Sequence, residues 1–181
     1  PANIAAVVFN TGLLARVTEF TLSGNGASNA SDARLLATLG SRFSPGSYRY
    51  VVRDTVAALS DQRNAAGLAI ASAFSVFDTA TNLLAASGSS LMQRASSVVL
   101  STGASLTLAN LLRLEALPSF SVMPGKSITL ADTASNLLAL TPAQNRPAIK
   151  AFQVVGTSNV ELAAALTLKA LPNFSIASGS N

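Results

Sequence analysis

The chain has 181 residues, 49% of them apolar and only 11% charged, with a formal net charge of +4. That length supports one domain with a sizeable core, and the apolar content is too high for a chain disordered along its whole length. Cysteine and histidine are absent, which excludes a disulfide framework, a Cys/His zinc site and any His-based catalytic triad.

Residues 1–19 read as an N-terminal lead-in containing an apolar, strand-like phrase from Ile4 to Phe9. The chain opens on Pro1, as it would after removal of an initiator Met. No Sec-type signal peptide is visible, so export would use a C-terminal signal or none. The segment VTEFTLSG around Phe20 starts the first repeat. SGNGASN at 23–29 is Gly-rich but lacks the GK[ST] ending of a phosphate loop, and it reads as a turn or loop.

The strands that follow alternate with period two and carry β-branched and aromatic residues: Tyr48-x-Tyr50-x-Val52, Phe74-x-Val76, Ile128-x-Leu130 and Phe152-x-Val154. An Asp closes three of them, at Asp54, Asp78 and Asp132. Helical phrases come next, with apolar residues at i, i+3 and i+4: Ala80, Leu83, Leu84; Leu108, Leu111, Leu112; Ala134, Leu137, Leu138; Leu162, Ala165, Leu166. Pro118 and Pro172 stop two of these helices. Phe120-Ser-Val122 and Phe174-Ser-Ile176 then read as short strands.

These phrases repeat. FSVFDTATNLLA from Phe74 matches ITLADTASNLLA from Ile128, and the same offset lays Leu114–Val122 on Leu168–Ile176. About a third of positions are identical between 74–127 and 128–181. The same step back from Phe74 reaches Phe20. The chain therefore divides into a diverged repeat at 20–73, a second at 74–127 and a third at 128–181. Each repeat splits into two halves of one strand and one short helix. Strand–helix alternation at this spacing predicts parallel strands joined by crossovers, stacked as a repetitive β/α solenoid. A compact mixed α/β domain built from the same units is the alternative.

Asp54, Asp78 and Asp132 precede Thr and a helical phrase, so each is expected to be the N-cap of its own helix. A calcium ladder from the same carboxylates lacks the nonapeptide or EF-hand pattern that such sites need. Asn82 and Asn136 occupy matched helical positions, where they either satisfy backbone groups in a loop or stand exposed on the helix. No P-loop or GxGxxG motif occurs, and the SxxK spacing of a Ser–Lys pair is absent. Neither a catalytic group nor a cofactor or metal site is expected. The bases are scattered and form no nucleic-acid patch. Their densest stretch, Arg42, Arg49 and Arg53, interleaves with aromatics. Phe43, Tyr48, Arg49 and Tyr50 form the candidate binding patch.

The D-T-A-x-N-L-L-A phrase, followed by a Thr/Ser-rich strand and L-x-x-L-P-x-F-x-V/I, resembles repeats of large bacterial surface proteins and type I-secreted adhesin-like proteins. The match is clearest at 74–85, 114–122, 128–139 and 168–176. It implies an extracellular or cell-surface structural role. This chain departs from the pattern in being basic and in lacking calcium nonapeptides.

The apolar phrases at both ends, Ile4–Phe9 and Phe174–Ile176, suggest a subunit that assembles with itself into a filament or layer. The other reading is an adhesin-type module for glycan or protein. No partner nucleic acid and no membrane span are expected.

Overall fold

A computed structural model of the chain describes residues 18–140 and 148–180. The expected strand at Ile4–Phe9 lies outside the described residues. The described residues form a mixed α/β structure whose strands all pair in parallel.

Strands β1 (Phe20–Thr21) and β2 (Gly26–Ser28) lead into helix α1 (Ala30–Ala37). Strands β3 (Phe43–Ser44) and β4 (Tyr50–Asp54) lead into α2 (Val56–Ser60) and α3 (Ala65–Ala69). Strand β5 (Ala73–Asp78) leads into α4 (Ala80–Ala86) and α5 (Ser90–Arg94). Strands β6 (Ser97–Leu100) and β7 (Ala104–Leu106) precede α6 (Leu108–Glu115), and β8 (Ser121–Val122) and β9 (Ile128–Asp132) precede α7 (Ala134–Leu138). Strand β10 (Ile149–Val154), helix α8 (Leu162–Lys169) and strand β11 (Phe174–Ile176) complete the order.

The sheet order follows the chain order. One sheet runs β2-β4-β5-β6-β8, a second runs β7-β9-β10-β11, and β1 pairs with β3. Each pass of strand and helix therefore lays its strand beside that of the pass before. Ladder partners are Val52 with Phe74, Val76 with Val98, Leu106 with Leu130, and Phe152 with Phe174.

The period-two pattern sorts the faces. Tyr50, Val52, Val76, Val98, Leu100, Leu106, Ile128 and Leu130 are buried, and they meet Leu83, Leu111, Leu114 and Leu137 from the helices. Between them on the strands stand Val51, Arg53, Ser97, Thr129 and Gln153, half-buried or exposed. Among the described residues the helices thus pack against one face of the sheets. Full burial of a leucine or valine stabilises by about 1.5–3 kcal/mol, so these aligned rows dominate the core.

Several sequence expectations change. Gly26–Ser28, inside the stretch read as a loop, is a strand at the edge of the five-stranded sheet among the described residues. It is too short and too Gly-rich to show a period. Ala104–Leu106 is a further strand that propensity does not reveal. In α6 the buried residues are Leu111 and Leu114, while Leu112 is 46% exposed. The buried face of the helix runs through Leu111 and Leu114, spaced i and i+3, and leaves Leu112 outside it.

Candidate functional site

The DTxxN blocks build a specific local structure, and it corrects their expected role. Asp54, Asp78 and Asp132 are not the N-caps of the helices that follow them. Those N-caps are Thr55, Thr79 and Thr133, whose hydroxyls accept from the amides of Ala58, Asn82 and Asn136. Thr107 does the same for α6. Each Asp stands one residue earlier and uses its two oxygens differently.

One oxygen serves its own turn. Asp132 Oδ1 accepts from the Thr133 amide at 2.8 Å and from Asn136 Nδ2 at 2.7 Å. Asp78 Oδ1 accepts from the Thr79 amide at 2.8 Å and from Asn82 Nδ2 at 2.7 Å. The matched asparagines are thus partners of the carboxylate rather than free surface groups. Asp54 has Ala at the asparagine position and accepts only from the Thr55 amide on that side, at 2.8 Å.

The other oxygen reaches back to an earlier helix. Asp54 Oδ2 accepts from the Ala30 amide at 2.9 Å, Asp78 Oδ2 from the Val56 amide at 2.9 Å, and Asp132 Oδ2 from the Leu108 amide at 2.7 Å. Those amides belong to the first residues of α1, α2 and α6, where a helix leaves its N–H groups without intrahelical partners. The carboxylate also meets the positive end of that helix's dipole. A side chain 22–24 residues ahead in sequence therefore caps each of these helices.

Burial raises the proton affinity of the Asp132 carboxyl. The hydrogen bonds from Asn136, Leu108 and Thr133 outweigh that, and the carboxyl is held below its ordinary range. Asp78 and Asp132 are both buried, and each accepts three hydrogen bonds. Among the described residues no group of three or more carboxylates comes together as a metal site.

The candidate patch does not survive as one surface. Tyr50 is fully buried, and its hydroxyl lies 2.6 Å from Ser28 Oγ. Burial raises its proton affinity, against the Ser28 bond. Phe43 packs edge-on against it with ring centroids 5.7 Å apart. These two aromatics are core, because strand alternation turns them inward. Tyr48 and Arg49 remain exposed.

Exposed apolar surface gathers instead around the last described pass. Leu162 is 77% exposed, Leu166 59% and Ile176 57%. Leu162 and Leu166 lie four apart on one face of α8, an almost wholly apolar helix. An apolar groove beside them is lined by Val154, Val160, Leu168, Phe174 and Ile176. Strand β11 borders this groove and is the edge of its sheet among the described residues. The scarcity of polar residues in LAAALTLK, with only Thr167 and Lys169, is the sequence signal for this surface. The i, i+3, i+4 template instead reads Leu162 and Leu166 as core.

Among the described residues no helix is long and apolar enough to cross a membrane. Compared with known protein families, curated proteins and solved structures, the chain matches none.

Proposed function

We propose that this chain is a non-enzymatic structural repeat protein of the bacterial cell surface or extracellular matrix. In this reading its strand–helix passes stack as a β/α solenoid, and copies join end to end into a filament or layer. The serial strand order and the backward-reaching aspartates support the stacking. A solenoid makes contacts chiefly between neighbouring units, and here each clamp ties one unit to the one before it.

The observation that carries the assembly is the apolar sheet edge formed by β11 with Leu162, Leu166 and Ile176. An edge strand offers unpaired N–H and C=O groups to another chain. Among the described residues the five-stranded sheet ends with β2, also an edge and also parallel. Joining unlike edges of parallel sheets gives a heterologous contact that does not close, which produces open polymers. The surface location rests on the low charge and on the resemblance of the DTAxNLLA phrases to bacterial surface repeats.

The test is the double variant Leu162→Asp, Leu166→Asp, followed by sedimentation velocity beside the parent chain. The proposal expects the parent to form large species and the variant to sediment as a monomer with unchanged circular dichroism. Equal sedimentation of both as monomers would remove it.

The second reading is an adhesin-type module for glycan or protein. It is supported by Tyr48, which is 41% exposed beside the exposed Arg49.

A further inference from the structure

The face of the five-stranded sheet opposite the helices carries a different chemistry. Arg49 and Arg53 are both exposed and, with Val51 between them, share that face by alternation. Four residues of strand separate their Cα atoms by about 13 Å. Among the described residues neither guanidinium makes a hydrogen bond or an ion pair. Other arginines differ: Arg63 is paired with Asp61 at 2.7 Å, and Arg113 donates to the Leu84 carbonyl and to Ser87 Oγ.

The two arginines border an open depression of about 460 Å³ whose lining includes Asn25, Val51, Ser75 and Ser96 and no carboxylate. Its floor is Ser75, only 6% exposed, with its hydroxyl 2.8 Å from Ser97 Oγ and 3.3 Å from Ser96 Oγ. Asn25 accepts from the Arg49 amide at 2.9 Å through Oδ1, which leaves its Nδ2 free to donate. Asp54, the acid nearest in sequence, turns its carboxylate to the helix side, toward Ala30 and Thr55.

We propose that this depression binds an acidic glycan, a sugar chain bearing carboxylate or sulfate groups. Arg49 and Arg53 each take one acid group, since a guanidinium meets such anions with two parallel hydrogen bonds. The Asn25 amide donates to a ring hydroxyl, the Ser96 oxygen, whose own hydrogen goes to the Phe74 carbonyl, accepts from another, and Val51 lies beneath the apolar face of a sugar. Nucleic acid suits the site poorly. Two cations are few for a phosphate backbone, and no aromatic ring in the depression offers a base a stacking surface. The proposal is independent of end-to-end assembly, which uses the sheet edge.

Isothermal titration of the full chain with polygalacturonate, heparin, neutral dextran and single-stranded DNA tests it. Binding of polygalacturonate or heparin is expected, without binding of dextran, and the preferred polymer distinguishes carboxylate from sulfate. Arg49→Ala and Arg53→Ala should each weaken that binding about tenfold or more, with circular dichroism unchanged. Arg49→Lys should retain part of it. The proposal is overturned if neither acidic polymer binds, if both alanine variants bind as the parent does, or if DNA binds as tightly as the glycan.

Discussion

Asp132 reaches back 24 residues to accept the amide hydrogen of Leu108 at 2.7 Å. Its other oxygen holds Thr133 and Asn136, so one carboxylate fastens two successive helices. Replacing it leaves the Leu108 amide without its acceptor, although Thr107 still caps the same helix, and leaves the Asn136 contact unmade. Asp132→Ala should destabilise by about 3 kcal/mol, because hydrogen bonds to a charged group contribute about 1.5–3 kcal/mol each and are not additive. Asp78→Ala should match it. Asp54→Ala should cost less, since Asp54 is less buried and accepts two hydrogen bonds rather than three. Urea unfolding of the three variants gives the order. An equal or reversed order would deny the third bond its role.

The same carboxylate predicts how stability depends on pH. Its folded form binds a proton more weakly than its unfolded form, whose value is near 3.9. Its contribution is therefore complete above the unfolded value and is lost as pH falls through the lower folded value. The parent chain should lose more stability on acidification below about pH 4 than Asp132→Asn does. Thermal melts from pH 7 down to pH 2 measure this, and parallel curves for the two proteins would contradict it.

Gly67 is the closest meeting point of two helices. A Cβ there would lie 2.5 Å from the Ala33 carbonyl carbon and 2.5 Å from the Arg34 nitrogen, which are backbone atoms that cannot swing away. Gly67→Ala must push α1 from α3 and should destabilise by about 2–3 kcal/mol, in the range of overpacking. Gly88→Ala meets no atom within 4 Å and should stay within about 0.5 kcal/mol of the parent. Chemical denaturation of the pair separates steric conflict from a general intolerance of substitution.

Much of the fold is legible in the residues, and the failures have local causes. The alternating apolar residues at Phe74–Val76 and Ile128–Leu130 announce their strands, because period two is what a half-covered strand requires. Gly26–Ser28 and Ala104–Leu106 carry no such signal, since pairing with β4 and β9 makes them strands. The Asp residues mark helix starts correctly. Their reach to an earlier helix is not legible, because a one-dimensional pattern shows the helix that follows and hides the one packed alongside. Tyr50 departs from expectation for a related reason. An aromatic beside arginines looks like an anchor, yet its place on the inward face buries it against Ser28 and Phe43.

The threonine caps are a milder device. Thr79 and Thr133 each accept one amide hydrogen at the start of a helix. Thr79→Ala and Thr133→Ala should each cost about 1 kcal/mol, visible as a lower urea midpoint with an unchanged slope. A changed slope would mean that the compactness of the native or unfolded state had altered instead.

The most direct test of the central claim is negative-stain electron microscopy of the purified full chain, paired with light scattering across a concentration series. Assembly through the β11 edge predicts ordered filaments or layers whose mass rises with concentration. A single monomeric mass at every concentration, with no ordered particles on the grid, would contradict it.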